Sequence, residues 1–275
     1  MSGLPYSKAS FSIARDYGEM RCGYWKPKKS EHPLPAVIWI HGGGFSSGSI
    51  KWLYRTMPAY ASRQIPFVLI SPSYRLMKGE GSGYPNQLED CYACLTFVKE
   101  NAKKLGIDPK RIVVGGESAG GNLAAAVVLK AHDEGIRLLG QILAYPMLDC
   151  RHRDFHKKVK PLGWTDERNQ KAWKTYLGDR KPDAYASPSL REDYRGLPYT
   201  YAFVLDEELF YEETLEYVEK LREAGVEADL DVYKGKLHAF DQWFPLSKKS
   251  RVAKKRFAKR LGALLDRFIS SSDTF

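Results

Sequence analysis

The stretch "VVGGESAGGNLAAA" (113–126) sets Ser118 between a β-branched run and an alanine-rich run, with glycine pairs on either side. Gly116-Glu117-Ser118-Ala119-Gly120 fits G-x-S-x-G, a pattern in which small flanking residues let a strand turn sharply into a helix with the serine hydroxyl exposed. The bland reading is a tight turn that needs small residues and contains a serine by chance. The context favours a nucleophile, because the elements before and after the turn are the ones that such an elbow requires. A serine hydroxyl attacks a carbonyl only when a base takes its proton and an acid orients that base.

Six histidines are candidates for the base: His32, His41, His132, His152, His156 and His238. On a parallel sheet with a nucleophile elbow, the chain order is serine, then acid, then histidine. His132 reads as an exposed helix end, and His152 and His156 lie in a polar segment before any strand has supplied an acid. His238, in "YKGKLHAFD" just beyond the last apolar strand, meets the order. For the acid, Asp206, Glu207 and Glu208 all follow "YAFVL" at a strand's carboxyl end. If the strand continued, Asp206 and Glu208 would share one side and Glu207 would point away. Each could instead favour the positive end of the following helix, and spacing does not choose among them.

The third requirement is a set of backbone N–H groups aimed where the oxyanion forms. "HGGGF" (41–45) follows the first buried strand. Three consecutive glycines are costly in conformational entropy, so uncrowded amides are a good reason to keep them. The amide of Ala119 would complete the set.

These residues need a scaffold that gathers four strand ends. Apolar runs at 35–42, 66–74, 111–117, 140–148, 199–206 and 227–235 alternate with helical patterns at 86–106, 119–132 and 212–225. Strands apolar on both faces, separated by helices, predict an α/β fold with a mostly parallel central sheet and helices on both faces. Residues 10–27 could add an edge hairpin, and Gly225 reads as a helix-ending glycine. The rhythm breaks at about 150–196, a polar insertion with one good helix starting at Thr165. It reads as a small cap over the strand ends within a single domain spanning 1–275, where Trp164, Trp173 and Tyr176 either line a pocket or pack the cap.

Composition bounds the rest. No apolar run approaches the ~18 residues of a membrane span, and the N-terminal residues lack a signal peptide's basic start and apolar core. A cytoplasmic location is therefore expected. Cys91 and Cys94, three apart in a helical pattern, are poorly placed for a disulfide, and no second pair completes a zinc site. They read as small core residues, and no metal or cofactor is expected. The net charge of +10 concentrates in 248–267, where nine Lys or Arg face one Asp. Val252, Phe257, Leu261, Leu264, Leu265 and Phe268 recur there at helical spacing, so the run reads as a docked helix with a solvated basic face. Nucleic acid and membrane are not expected partners; a homodimer is left open.

Taken in order, "HGGGF", "SYRL" (73–76), "YPNQLEDCYACLTFV" (84–98), "DPKRIVVGGESAGGNLAA" (108–125), "ASPSL" (186–190) and "VYKGKLHAF" (232–240) give a chain that resembles the hormone-sensitive-lipase-like, bacterial family IV carboxylesterases of the α/β-hydrolase superfamily. The blocks cover most of 35–240. The resemblance implies an α/β-hydrolase fold and a serine carboxylesterase acting on short-chain, acetyl-like esters of small molecules. It assigns Ser118 as nucleophile, His238 as base and then acid, and Gly43, Gly44 and Ala119 as the oxyanion hole. In "DEELFYEE" it aligns Glu208 with the family's acid, with Asp206 as the alternative. Two departures stand out: glutamate where aspartate is usual, and Ala239 where glycine usually follows the histidine. The short stretch before HGGG leaves little room for N-terminal cap helices, which implies an open site. A peptidase or amidase of the same superfamily, or a non-catalytic binding protein on this fold, are the alternatives.

Overall fold

Eight strands form one sheet in the order β1-β2-β4-β3-β5-β6-β7-β8. They are β1 (Tyr6–Arg15), β2 (Gly18–Pro27), β3 (Leu34–Ile40), β4 (Val68–Pro72), β5 (Ile107–Glu117), β6 (Gly140–Ala144), β7 (Tyr199–Leu205) and β8 (Ala228–Tyr233). The computed structural model describes residues 6–28, 30, 33–78 and 82–267; His32 and Phe268 lie outside them. The pairs β1/β2 and β2/β4 are antiparallel, which makes the expected edge hairpin, and every other pair is parallel.

The central strands are buried on both sides and sort their side chains by alternation. Ile38, Ile40, Val68, Ile70, Ile112 and Val114 face one apolar core. Helices α2 (Asn86–Glu100), α4 (Ala119–Asp133) and α7 (Tyr211–Glu223) close that side, through Leu88, Leu123 and Val218 among others. Val37, Trp39, Leu69, Val113 and Phe203 face the second core, under α1 (Met57–Ala61) and α9 (Lys248–Asp266).

Helix α9 shows how the basic run is accommodated. Phe257, Leu261, Leu264 and Leu265 are buried against the sheet. Burying side chains of this kind is worth about 1.5–3 kcal/mol each. Arg256, Arg260 and Arg267 on the outer side pair with Asp231, Asp229 and Glu227. With the arginines largely exposed, such pairs contribute about 0–1 kcal/mol, less than the packing of the apolar face. Among the described residues no helix is long and apolar enough to cross a membrane.

Three sequence expectations shift. The helix predicted over 86–106 divides at Asn101 into α2 and a single turn, α3 (Ala102–Leu105), which ends on the left-handed Gly106. Strand β6 stops at Ala144, four residues early, because Tyr145 turns out of extended geometry (φ 36°) and Pro146 has no N–H to offer a ladder. The 150–196 insertion contains a second short helix, α5 (Asp154–Lys158), before the expected α6 (Asp166–Leu177). Thr165 caps α6 as predicted, accepting from Arg168 N. Gly225 adopts positive φ just past α7. A last short helix, α8 (Phe240–Trp243), joins β8 to α9.

Where α4 leaves β5, backbone approaches backbone. A Cβ at Gly120 would lie 2.2 Å from Ile40 O and 2.4 Å from His41 O, and one at Gly116 would lie 2.1 Å from Gly120 O. Gly120→Ala is therefore expected to destabilise the protein by about 3 kcal/mol, since rigid backbone must move to admit the methyl. Urea denaturation measures this, and an unchanged midpoint would contradict the close approach.

Candidate active site

Four strand ends on the carboxyl edge of the sheet supply the site, the edge where α/β sheets place ligands. Strand β3 leads into His41–Phe45, β5 into Ser118, β7 into Glu208 and β8 into His238. Ser118 has φ 56° and ψ −123°, a conformation that non-glycine residues avoid. The neighbouring chain holds it there. Ser118 N donates to Ala144 O (3.0 Å), and Ser118 O accepts from Met147 N (3.1 Å). The early end of β6 thus anchors the elbow.

The Ser118 side chain meets His238, with 2.8 Å between Oγ and Nε2. On the far side of the ring, Nδ1 lies 2.6 Å from Glu208 Oε2. The other carboxylate oxygen of Glu208 accepts from Leu205 N at 2.9 Å, which fixes the carboxylate plane. All three side chains are buried or nearly so. Phe210 and Tyr145 pack against the imidazole in T-shaped pairs, at centroid distances of 5.2 and 5.0 Å.

Asp206 is directed elsewhere. Its carboxylate pairs with Lys234 (2.8 Å) and accepts from Gly235 N (2.9 Å), tying the ends of β7 and β8 together. Strand geometry had put Asp206 and Glu208 on one side. Strand β7 ends at Leu205, and the turn that follows separates them. Ala239, after His238, is left-handed (φ 57°). That conformation is unfavourable by roughly 1 kcal/mol for an L-residue, which accounts for a glycine preference there.

The glycine run wraps the opposite wall. Gly43, Gly44, Ser118, His238, Trp52, Trp164 and Trp243 line a cavity of about 430 Å³. Gly44 has φ 57°, and a Cβ there would lie 2.3 Å from Trp164. Of the three insertion aromatics considered above, Trp164 lines the cavity. Trp173 and Tyr176 instead pack on Phe45, with the Phe45 and Tyr176 rings stacked 4.0 Å apart. Ala119 is buried at the first turn of α4, where a backbone N–H has no partner within its own helix. His41 is not a rival base. Burial lowers its pKa to about 4, its Nδ1 lies 2.8 Å from Gly42 O, and it stacks on Tyr74. His132 is half-buried at the end of α4, away from the cavity.

Sequence reasoning missed two buried acids at the base of the cavity, of which Glu117 lines it. Glu117 lies 3.2 Å from the donating Trp39 Nε1, and Asp241 Oδ1 accepts from the Tyr145 hydroxyl at 2.8 Å. Burial raises the Glu117 pKa to about 7, with Asp241 adding to the shift, and burial raises Asp241 to about 6. Their adjacency to Ser118 and His238 in sequence was visible. Their convergence was not.

A family model described as alpha/beta hydrolase fold matches residues 37–242, and the chain belongs to this family. The structure is similar to a bacterial heroin esterase, with TM-score 0.88, 31% identity, and coverage of 94% of this chain and 84% of that one. It is similar too to EstE1, a thermostable carboxylesterase from a metagenomic library, with TM-score 0.86, 30% identity, and coverage of 95% and 90%. In sequence it is 40% identical over 124 residues to carboxylesterase NlhH of Mycobacterium tuberculosis, covering 45% of this chain and 38% of that protein. The match thus spans well under two thirds of NlhH.

The raised carboxyl of Glu117 has a consequence for stability. It holds its proton more tightly in the folded chain than at its ordinary value of 4.5. Between those values the folded state keeps the extra proton, so stability falls as pH rises from about 4.5 to 7. Glu117→Gln removes that penalty. Between pH 5 and pH 8 the variant is expected to lose about 2–3 kcal/mol less stability than the parent. Urea denaturation at both pH values decides it, and identical pH dependence in the two proteins would contradict the assignment.

Proposed function

We propose that the chain is a serine carboxylesterase that hydrolyses short-chain, acetyl-like esters of small molecules through an acyl-enzyme. The observation that carries this reading is the unbroken relay from Glu208 through His238 to Ser118, at 2.6 and 2.8 Å, opening onto the glycine-walled cavity. In the proposed reaction Ser118 Oγ attacks the ester carbonyl while His238 Nε2 takes its proton. Glu208 accepts from Nδ1–H, which fixes the tautomer and stabilises the imidazolium. The amides of Gly43, Gly44 and Ala119 receive the oxyanion. His238 then returns the proton to the departing alcohol, leaving an acyl-Ser118 ester. Water, deprotonated by the same imidazole, attacks that ester; the acid departs as His238 returns the proton to Ser118 Oγ, restoring the enzyme.

We further take the 150–196 insertion as a small cap on one hydrolase domain. Gly163 and Trp164 line the cavity, and His238 N donates to Leu162 O at 2.9 Å. A cavity of about 430 Å³ with three tryptophans in its wall suits a small acyl group and a flat leaving group better than a long chain. A cytoplasmic setting accords with the four cysteines, which are free thiols.

Ser118→Ala is expected to lower kcat/KM for p-nitrophenyl acetate by about 10⁴-fold or more, and Glu208→Gln by about 10³–10⁴-fold. Asp206→Asn, outside the relay, is expected to stay within about threefold of the parent. An active Ser118→Ala enzyme would refute the reading. So would a chain that a fluorophosphonate fails to label, the result expected of a non-catalytic binding protein. Across p-nitrophenyl esters from C2 to C12 the maximum is expected at C2–C4. A preference for aminoacyl amides over all of these would assign a peptidase instead.

A further inference from the structure

In the insertion, away from the cavity, His152, His156 and Asp166 converge. One ligand atom from each lies within 4.8 Å of the others. His152 Nε2 is 2.9 Å from Asp166 Oδ2, and His156 Nδ1 is 3.3 Å from Asp166 Oδ1. His152 lies two residues before α5, His156 lies within it, and Asp166 opens α6.

Parts of this have an ordinary explanation. An aspartate in the first turn of α6 favours the helix dipole, and Gln170 Nε2 donates to its Oδ2 at 2.8 Å. His156 does not fit that account. Its side chain is fully buried, Nε2 has no hydrogen-bond partner, and Nδ1 meets Asp166 Oδ1 at 3.3 Å without hydrogen-bond geometry. Asp166 Oδ1, facing it, is also without one. A buried polar group left unmatched is unfavourable by about 1–3 kcal/mol. Arg153, the N-cap of α5, is engaged by Asp149 and Glu216.

We propose that His152, His156 and Asp166 form a divalent transition-metal site, suited to Zn²⁺. Two imidazoles and a carboxylate are a borderline-soft donor set that zinc accepts, with solvent as the fourth ligand. Tetrahedral Zn²⁺ with bonds near 2.0–2.1 Å separates its ligands by about 3.3 Å. The two contacts at Asp166, 2.9 Å to Oδ2 and 3.3 Å to Oδ1, lie at or a little below that value. Gln170, bonded to the carboxylate, acts as the outer partner that such ligands usually have.

The location gives the site a task. Residues 159–165, between α5 and Asp166, carry Gly163 and Trp164 to the cavity wall and Leu162 to the backbone of His238. A bound cation ties both ends of this segment together. The ligands themselves do not line the cavity, so the metal braces the pocket wall and takes no part in bond making. The inference stands independently of the esterase reading.

The test uses the full chain, stripped with EDTA and titrated with Zn²⁺ by calorimetry, with Co²⁺ absorption as a second probe. One Zn²⁺ per chain is expected, with a Kd of about 10 µM or tighter. His152→Ala and Asp166→Asn are expected to weaken binding about tenfold or more, and His152→Ala, at an exposed position, to keep the metal-free unfolding midpoint. Zn²⁺ is expected to raise the thermal midpoint of the parent but not of these variants. No 1:1 binding by the parent at ~100 µM Zn²⁺ would overturn the proposal. Parent-like Zn²⁺ affinity in both variants would do the same, since the ion would then sit elsewhere.

Discussion

The contact between α4 and the ends of β3 and β5 sets the conditions for everything around the site. Gly116 and Gly120 let the helix backbone come against Ile40 O and His41 O, closer than any Cβ would permit. At that separation the chain has no room for a gradual turn. Ser118 is driven into a conformation that only a well-packed surrounding can hold. The strain is local. The support is spread over both apolar cores, the ladder from β3 to β6, and the hydrogen bonds that Ala144 and Met147 make to Ser118.

From that point the rest of the relay follows as geometry. A serine fixed at the end of β5 defines where an imidazole must stand, and the loop after β8 brings His238 there. The imidazole in turn defines where a carboxylate must stand. Glu208 fills that place because β7 stops at Leu205 and the turn folds its longer side chain back, one oxygen on Leu205 N and the other on His238. Asp206, two residues earlier, closes the gap between β7 and β8 instead. At the floor of the site, Glu117 and Asp241 are buried carboxyls whose pKa values burial raises, so they hold their protons to higher pH than ordinary carboxyls do.

The insertion shows a different economy. Its apolar members divide between two tasks: Trp173 and Tyr176 pack on Phe45, while Trp164 lies against Gly44 and walls the cavity. Its polar members, His152, His156 and Asp166, cluster away from the cavity at the two ends of the segment that carries Trp164.

Much of the architecture was legible in the sequence because it depends on short-range pattern. Buried parallel strands read as continuous apolar runs, and glycines on both sides of Ser118 declare a close approach. The chain order of serine, acid and histidine singled out His238 among six candidates. What the sequence left open involved distances across the fold. By strand spacing it could not separate Asp206 from Glu208, which only the family resemblance favoured, because the choice depends on where β7 ends and how the turn folds. It could not divide Trp164 from Trp173 and Tyr176, since all three are apolar and stand close together in the chain. Nor could it foresee that Glu117 and Asp241, far apart in sequence, share one buried layer, or that Asp166 meets the two histidines. Pattern records which residues seek burial or a turn. Only tertiary packing decides which polar atoms end within bonding distance, because that depends on where several independent elements stop.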